Sequence, residues 1–162
     1  MASERAATLA DDFAAVNADA VAFARSCTDA QWLALVPGED WTVGVVLHHV
    51  AESHVHGLQW LRAMAQGEAV TDTAGSIDAD NAEHARRAAA VTQDEAAVLL
   101  EENGRRLESA LRSLSDEELD RAAPFGPAGG QALPTAALAA VAARHPREHL
   151  LHARVALEGL PS

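Results

Sequence analysis

The sequence predicts an all-α fold, a four-helix bundle with long connections and short extra helices. Three observations predict it. Apolar residues recur at helical spacing in four long segments, no segment alternates as a half-buried strand does, and cap and turn signals separate the segments. A chain of 162 residues can bury one core without disulfides or a structural metal, and residues 1–162 read as a single domain.

Leu9, Phe13, Val16, Ala20 and Phe23 stand at i, i+4, i+7, i+11 and i+14, one face of a first long helix. Cys27 continues that face, so the lone thiol reads as a small core residue. Thr28 with Gln31 forms a capping box for a short helix through DAQWLALV, which Pro37-Gly38 stops. Thr42 caps a second long helix from Val43 to Gln66, and Gly67 ends it. Its apolar face is Val43, Leu47, Val50, Leu58 and Leu61. From Glu68 to Asp80 the composition predicts an exposed crossover, followed by a short polar helix over 81–91. Thr92 and Glu95 open a third long helix reaching Leu114, with Leu100, Leu107, Leu111 and Leu114 as its stripe. Ser115 with Glu118 starts a further helical turn, PFGPAGGQALP reads as a loop, and Thr135 is the expected cap of the last helix.

Composition narrows the function. A net charge of -12 repels phosphate backbones and anionic lipid, which leaves a small molecule as the expected partner, with no nucleic acid and no membrane. All 12 basic residues are Arg and Tyr is absent, which removes lysine Schiff bases and tyrosine acids from consideration. One cysteine and a start without a basic-then-apolar signal region predict a cytoplasmic protein.

Seven of the eight histidines fall in two windows, His48 to His56 and His145 to His152. On a helical wheel His145, His149 and His152 lie within about 60° of one another, beside Leu138, Ala142 and Ala156. They are expected to point inward, because Arg144, Arg147, Arg154 and Glu158 already supply the opposite face. Buried imidazoles need partners, and a divalent metal answers that need, since neutral histidines at i and i+4 can reach one ion. In the first window the wheel makes His49 and His54 the candidates, with His56 a turn beyond His49 and His48 turned outward to solvent. His84, in the short polar helix, reads as surface.

The segment WTVGVVLHHVAESHVHGLQWL resembles the second helix of the DinB/YfiT-like superfamily of metal-dependent four-helix proteins. There a Trp-Ser/Thr-Val start precedes a ligand histidine by eight residues, as Trp41 precedes His49, and an acid follows three positions later, as Glu52 does. The family's "HHxADSH" string is close to residues 48–54, and its HxxxH pair on the last helix is matched by His145 and His149. The resemblance implies a divalent ion, zinc or nickel, on His49, His145 and His149. Glu52, His54, His56 and His152 become candidates to orient a ligand ring or a bound water. Pro146 is a departure, since it removes a backbone donor between two ligands and predicts a kink or restart.

Three protein ligands with a vacant position describe a catalytic ion rather than a structural one. The family includes metal-dependent hydrolases, thiol S-transferases and a thiol-dependent maleylpyruvate isomerase, so a low-molecular-weight thiol is an implied cosubstrate. No general base distinct from the histidines stands out, which favours thiol-dependent transfer over hydrolysis. The competing class is a non-enzymatic metal- or ligand-binding stress protein. No catalytic acid or base is assigned, and the family implies a homodimer.

Overall fold

The structure, a computed structural model, describes residues 3–158. Four long helices form the body of the bundle: α1 (Glu4–Ser26), α3 (Val43–Ala65), α5 (Gln93–Ser113) and α7 (Thr135–Ala156). Three short ones join them: α2 (Asp29–Trp32), α4 (Ala74–Arg87) and α6 (Asp116–Asp120). The side-chain caps at Thr28, Thr42, Thr92 and Ser115 all form.

Helix directions follow from which ends meet. Arg112 pairs with Asp11 at 2.7 Å and Arg25 with Glu101 at 2.8 Å, so α1 and α5 are antiparallel. Arg147 pairs with Asp12 and Arg154 with Asp19, each at 2.7 Å, so α1 and α7 are parallel. Exposed pairs of this kind add little stability, yet they record the register. Asn103 donates to the Ala51 carbonyl at 2.9 Å, matching the starts of α3 and α5, whereas α3 and α7 run antiparallel with His49 beside His149. Around the bundle the order is α1, α5, α3, α7, with α1 diagonal to α3 and α5 diagonal to α7. Neighbouring parallel helices α3 and α5 need a connection that returns the length of the bundle, and residues 66–92 supply it.

That connection differs from expectation. α4 starts at Ala74, inside the segment expected to be loop, because Thr73 and Ser76 make a capping box there. Two short antiparallel hairpins accompany the all-α bundle in segments expected to be short helix or loop: β1 (Leu35–Val36) with β2 (Trp41–Thr42), and β3 (Ala122–Phe125) with β4 (Gln131–Pro134). Strands of two and four residues are too short to show an alternating pattern. Thr135 is not the cap of α7. Pro134 holds that position, and the Thr135 hydroxyl donates to the Arg121 carbonyl at 3.0 Å. Pro146 does not end α7, which continues through it to Ala156. No described helix is long and apolar enough to cross a membrane.

The core divides into two clusters. One gathers Val46, Val50 and Leu100 near the hairpin β1–β2, and the other gathers Phe13, Met64, Leu107 and Leu111 at the far end. Cys27 is buried in the first, with its thiol on the Phe23 carbonyl at 3.3 Å. Between α1 and α5 the Asn17 side chain lies against Gly104, where a Cβ would overlap it.

Candidate metal centre

α3 and α7 carry the site because they are antiparallel neighbours, so the start of one faces the second half of the other. His49 of α3 meets His145 and His149 of α7. His49 Nε2 is 3.4 Å from His145 Nε2, and His149 Nε2 is 3.2 Å from the same atom. One donor atom from each ring lies within 4.8 Å of the other two. Since α7 is unbroken at Pro146, the i,i+4 pair keeps its common face.

The surroundings fix where the protons sit. Ser53 donates its hydroxyl to the Val50 carbonyl at 2.7 Å, so at 3.4 Å from His145 Nδ1 its oxygen is the acceptor. That arrangement puts the His145 proton on Nδ1 and leaves Nε2 a bare lone pair. Glu39 Oε1 lies 3.4 Å from His149 Nδ1, poorly aligned for a hydrogen bond, and favours a proton there too. Two lone pairs then face each other 3.2 Å apart, which a cation would relieve. Ligand nitrogens around a tetrahedral zinc, with Zn–N of about 2.0–2.1 Å, stand roughly 3.3 Å apart, so these residues fit such an ion.

Charge state agrees with that fit. Burial, and then the neighbouring imidazoles His145 and His149, push His49 down to about 2. Burial also lowers His145 to about 4 and brings His149 down against the opposing pull of Glu39. All three are neutral at physiological pH, the form that binds metal. Trp41 packs on His49 with ring centroids 5.2 Å apart and shields it from one side.

The other sequence candidates take separate places. His54 is buried at 2 % exposure and bonds Asn17 Oδ1 at 2.9 Å, so it is not one of the converging donors. His56 is exposed and stacks on Trp60. His152 corrects the inward expectation: its side chain is 56 % exposed and it reaches Glu39 Oε1 at 2.9 Å. Leu150 and Ala153 on either side of it are buried in the cluster that includes Val43 and Val46 of α3, and His152 projects to the side of that buried stripe. His48 and His84 are corrected as well. α4 covers His48, whose Nδ1 is 2.8 Å from His84 Nε2, and His84 is 3 % exposed rather than on the surface. Glu52 lies 3.9 Å from His84 and 3.4 Å from Arg87.

Glu39 was missed because it sits in the β1–β2 turn, where no periodicity marks the direction of a side chain. His84 left a signal, since Ile77, Asn81, His84 and Ala88 recur as one helical face along α4. A cavity of about 570 Å³ opens beside His49 and His145. α4 contributes Ile77, His84 and Arg87 to its wall, and Leu107, Leu111 and Leu138 form an apolar part. Trp60, on the same wall, donates to Asp72 at 2.6 Å.

Residues 12–153 match the DinB superfamily. The chain belongs to that superfamily. Among solved structures it is similar to YfiT from Bacillus subtilis, described as a probable metal-dependent hydrolase with an unusual four-helix bundle topology. The TM-score is 0.79 at 20% identity, over 98% of this chain and 89% of YfiT. It is also similar to a mycothiol-dependent maleylpyruvate isomerase, with a TM-score of 0.68 at 17% identity, over 97% of this chain and 62% of the isomerase. No curated protein gives a significant match. At these identities the two structures show a shared fold, and the four-helix bundle is that of the DinB superfamily.

Proposed function

We propose that this DinB-superfamily chain is a metal-dependent enzyme of thiol-dependent transfer, with one divalent ion, zinc or nickel, on His49, His145 and His149. The observation that carries the reading is the convergence of three neutral imidazole nitrogens beside a cavity of about 570 Å³, within the size range of small-molecule sites. When bound, the ion supplies Lewis acidity that lowers the pKa of a thiol or of water.

The chain's own residues have separable tasks. Ser53 and Glu39 hold the rings of His145 and His149 with their Nε2 atoms turned inward. Leu107, Leu111 and Leu138 offer apolar surface to the part of the substrate that does not react. Trp41 keeps water from the flank of His49. Hydrolysis is the second reading, favoured by Glu52, a carboxylate on the same cavity wall that can accept a proton from water. The likeness to YfiT, described as a probable metal-dependent hydrolase, supports the same reading.

Metal counting and a thiol assay together test the proposal. Gently purified protein is expected to hold at least one zinc or nickel, and His49→Ala, His145→Ala and His149→Ala each to lower occupancy of that tight site. Removal of metal should abolish transfer of a low-molecular-weight thiol to an electrophile, and its return should restore it. Ester cleavage without thiol, lost in Glu52→Gln, would select hydrolysis. Stoichiometric metal with neither activity would make the chain a binding protein.

A further inference from the structure

A second group of metal-type donors assembles on the adjoining wall of the cavity. His48 Nδ1 is 2.8 Å from His84 Nε2, and Glu52 Oε2 is 3.9 Å from the same nitrogen. One donor atom from each of the three lies within 4.8 Å of the other two. His48 and Glu52 are i and i+4 on α3, which places both on one helical face, and His84 arrives from α4. The group shares no residue with the three-histidine set, although His84 packs on His49 with centroids 5.6 Å apart.

We propose that His48, Glu52 and His84 form a second, weaker site for a divalent cation of the zinc type, facing the same cavity as the three histidines. Two imidazoles and one carboxylate are a donor set suited to such an ion, and three ligands leave room for a further one. The separations of 2.8 and 3.9 Å bracket the roughly 3.3 Å that a tetrahedral zinc imposes on its ligands, so small side-chain rotations suffice. One of the two facing nitrogens now carries the proton of their hydrogen bond. Binding moves that proton to the other nitrogen of the same ring, and both imidazoles stay neutral.

His84 is 3 % exposed and reaches the group through Nε2, the nitrogen an ion would take. The cavity, whose wall includes Glu52 and His84, gives an ion a route in. Arg87 is the competitor, with Nη2 3.4 Å from Glu52 Oε2 where an ion would place its own charge. Its side chain is 59% exposed and can swing into solvent, so it weakens the site without closing it. An ion here would also engage Glu52 as a ligand and remove the base that hydrolysis needs.

Dialysis of the metal-stripped full chain against a zinc series, with bound zinc counted by elemental analysis, tests the proposal. About two zinc ions per chain are expected at saturation, the second binding more weakly. His84→Ala and Glu52→Gln should each lose that second equivalent, and Glu52→Gln serves where the buried His84→Ala fails to fold. Arg87→Ala should bind it about two- to fivefold more tightly, since an exposed ion pair no longer competes. His145→Ala should keep it while losing the tight equivalent, so failure of the three-histidine reading and failure of this one are told apart. A wild-type chain that saturates at one zinc, which His145→Ala then loses, or a second equivalent kept in full by Glu52→Gln, would overturn the proposal.

Discussion

Glu39 Oε1 lies 3.4 Å from His149 Nδ1, on the opposite side of the ring from the nitrogen that faces His145. A carboxylate in that place favours the tautomer with a bare Nε2 and raises the basicity of the ring as a ligand. Glu39 comes from the turn between β1 and β2, so the hairpin serves the centre by delivering one carboxylate. Replacing it by alanine should weaken zinc binding about 10- to 100-fold while the fold persists. Competition against a chromophoric chelator measures this. Unchanged affinity would assign Glu39 to His152 alone, which it meets at 2.9 Å.

Acid stability should depend on His54. Asn17 donates to the Leu100 carbonyl at 3.0 Å, which turns its Oδ1 toward His54 Nε2 at 2.9 Å as an acceptor. Burial, followed by the influence of His145, lowers His54 to about 3, so it stays neutral in the folded chain. In the unfolded chain its pKa returns to about 6.5, and between those values the unfolded state holds more protons. The contribution is therefore complete above about pH 6.5 and falls toward pH 3 by up to about 1.4 kcal/mol per unit. Urea unfolding of metal-stripped protein at pH 7 and pH 5 should give a shallower slope for His54→Leu than for wild type. Equal slopes would show that His54 does not carry this proton.

The sequence reached the four long helices and their caps because helical spacing and Ser/Thr caps are local signals. Thr42 before Val43 and Thr92 with Glu95 depend on residues a turn apart, and both form. His49, His145 and His149 were legible as a set through motif resemblance, and the antiparallel contact of α3 with α7 brings them together. What stayed hidden is tertiary. A wheel of α3 alone sends His48 to solvent, and only the placement of α4 over it reverses that. His152 shares the wheel face of His149, yet it lies further round from the buried stripe of Leu150 and Ala153 and so reaches solvent. Glu39 acts from a turn, where no periodicity predicts direction.

The approach of α1 to α5 should be intolerant of a single methyl group. A Cβ on Gly104 would overlap the Asn17 side chain, which holds the Leu100 carbonyl on one side and His54 on the other. Asn17 is 9% exposed and cannot swing outward without giving up both bonds. Overpacking costs about 1–3 kcal/mol and the two lost hydrogen bonds about 2 kcal/mol more, while the higher helix propensity of alanine returns about 1 kcal/mol. Gly104→Ala is thus expected to lose about 2–4 kcal/mol in denaturant unfolding, with little change in helix content. A double-mutant cycle separates this overlap from the lower conformational freedom of alanine. Asn17→Ala opens the space that the new methyl needs, so the pair should cost less than the sum of the single changes. Strict additivity would mean that α1 and α5 meet with slack at this level, and that Gly104 is not needed to make room for Asn17.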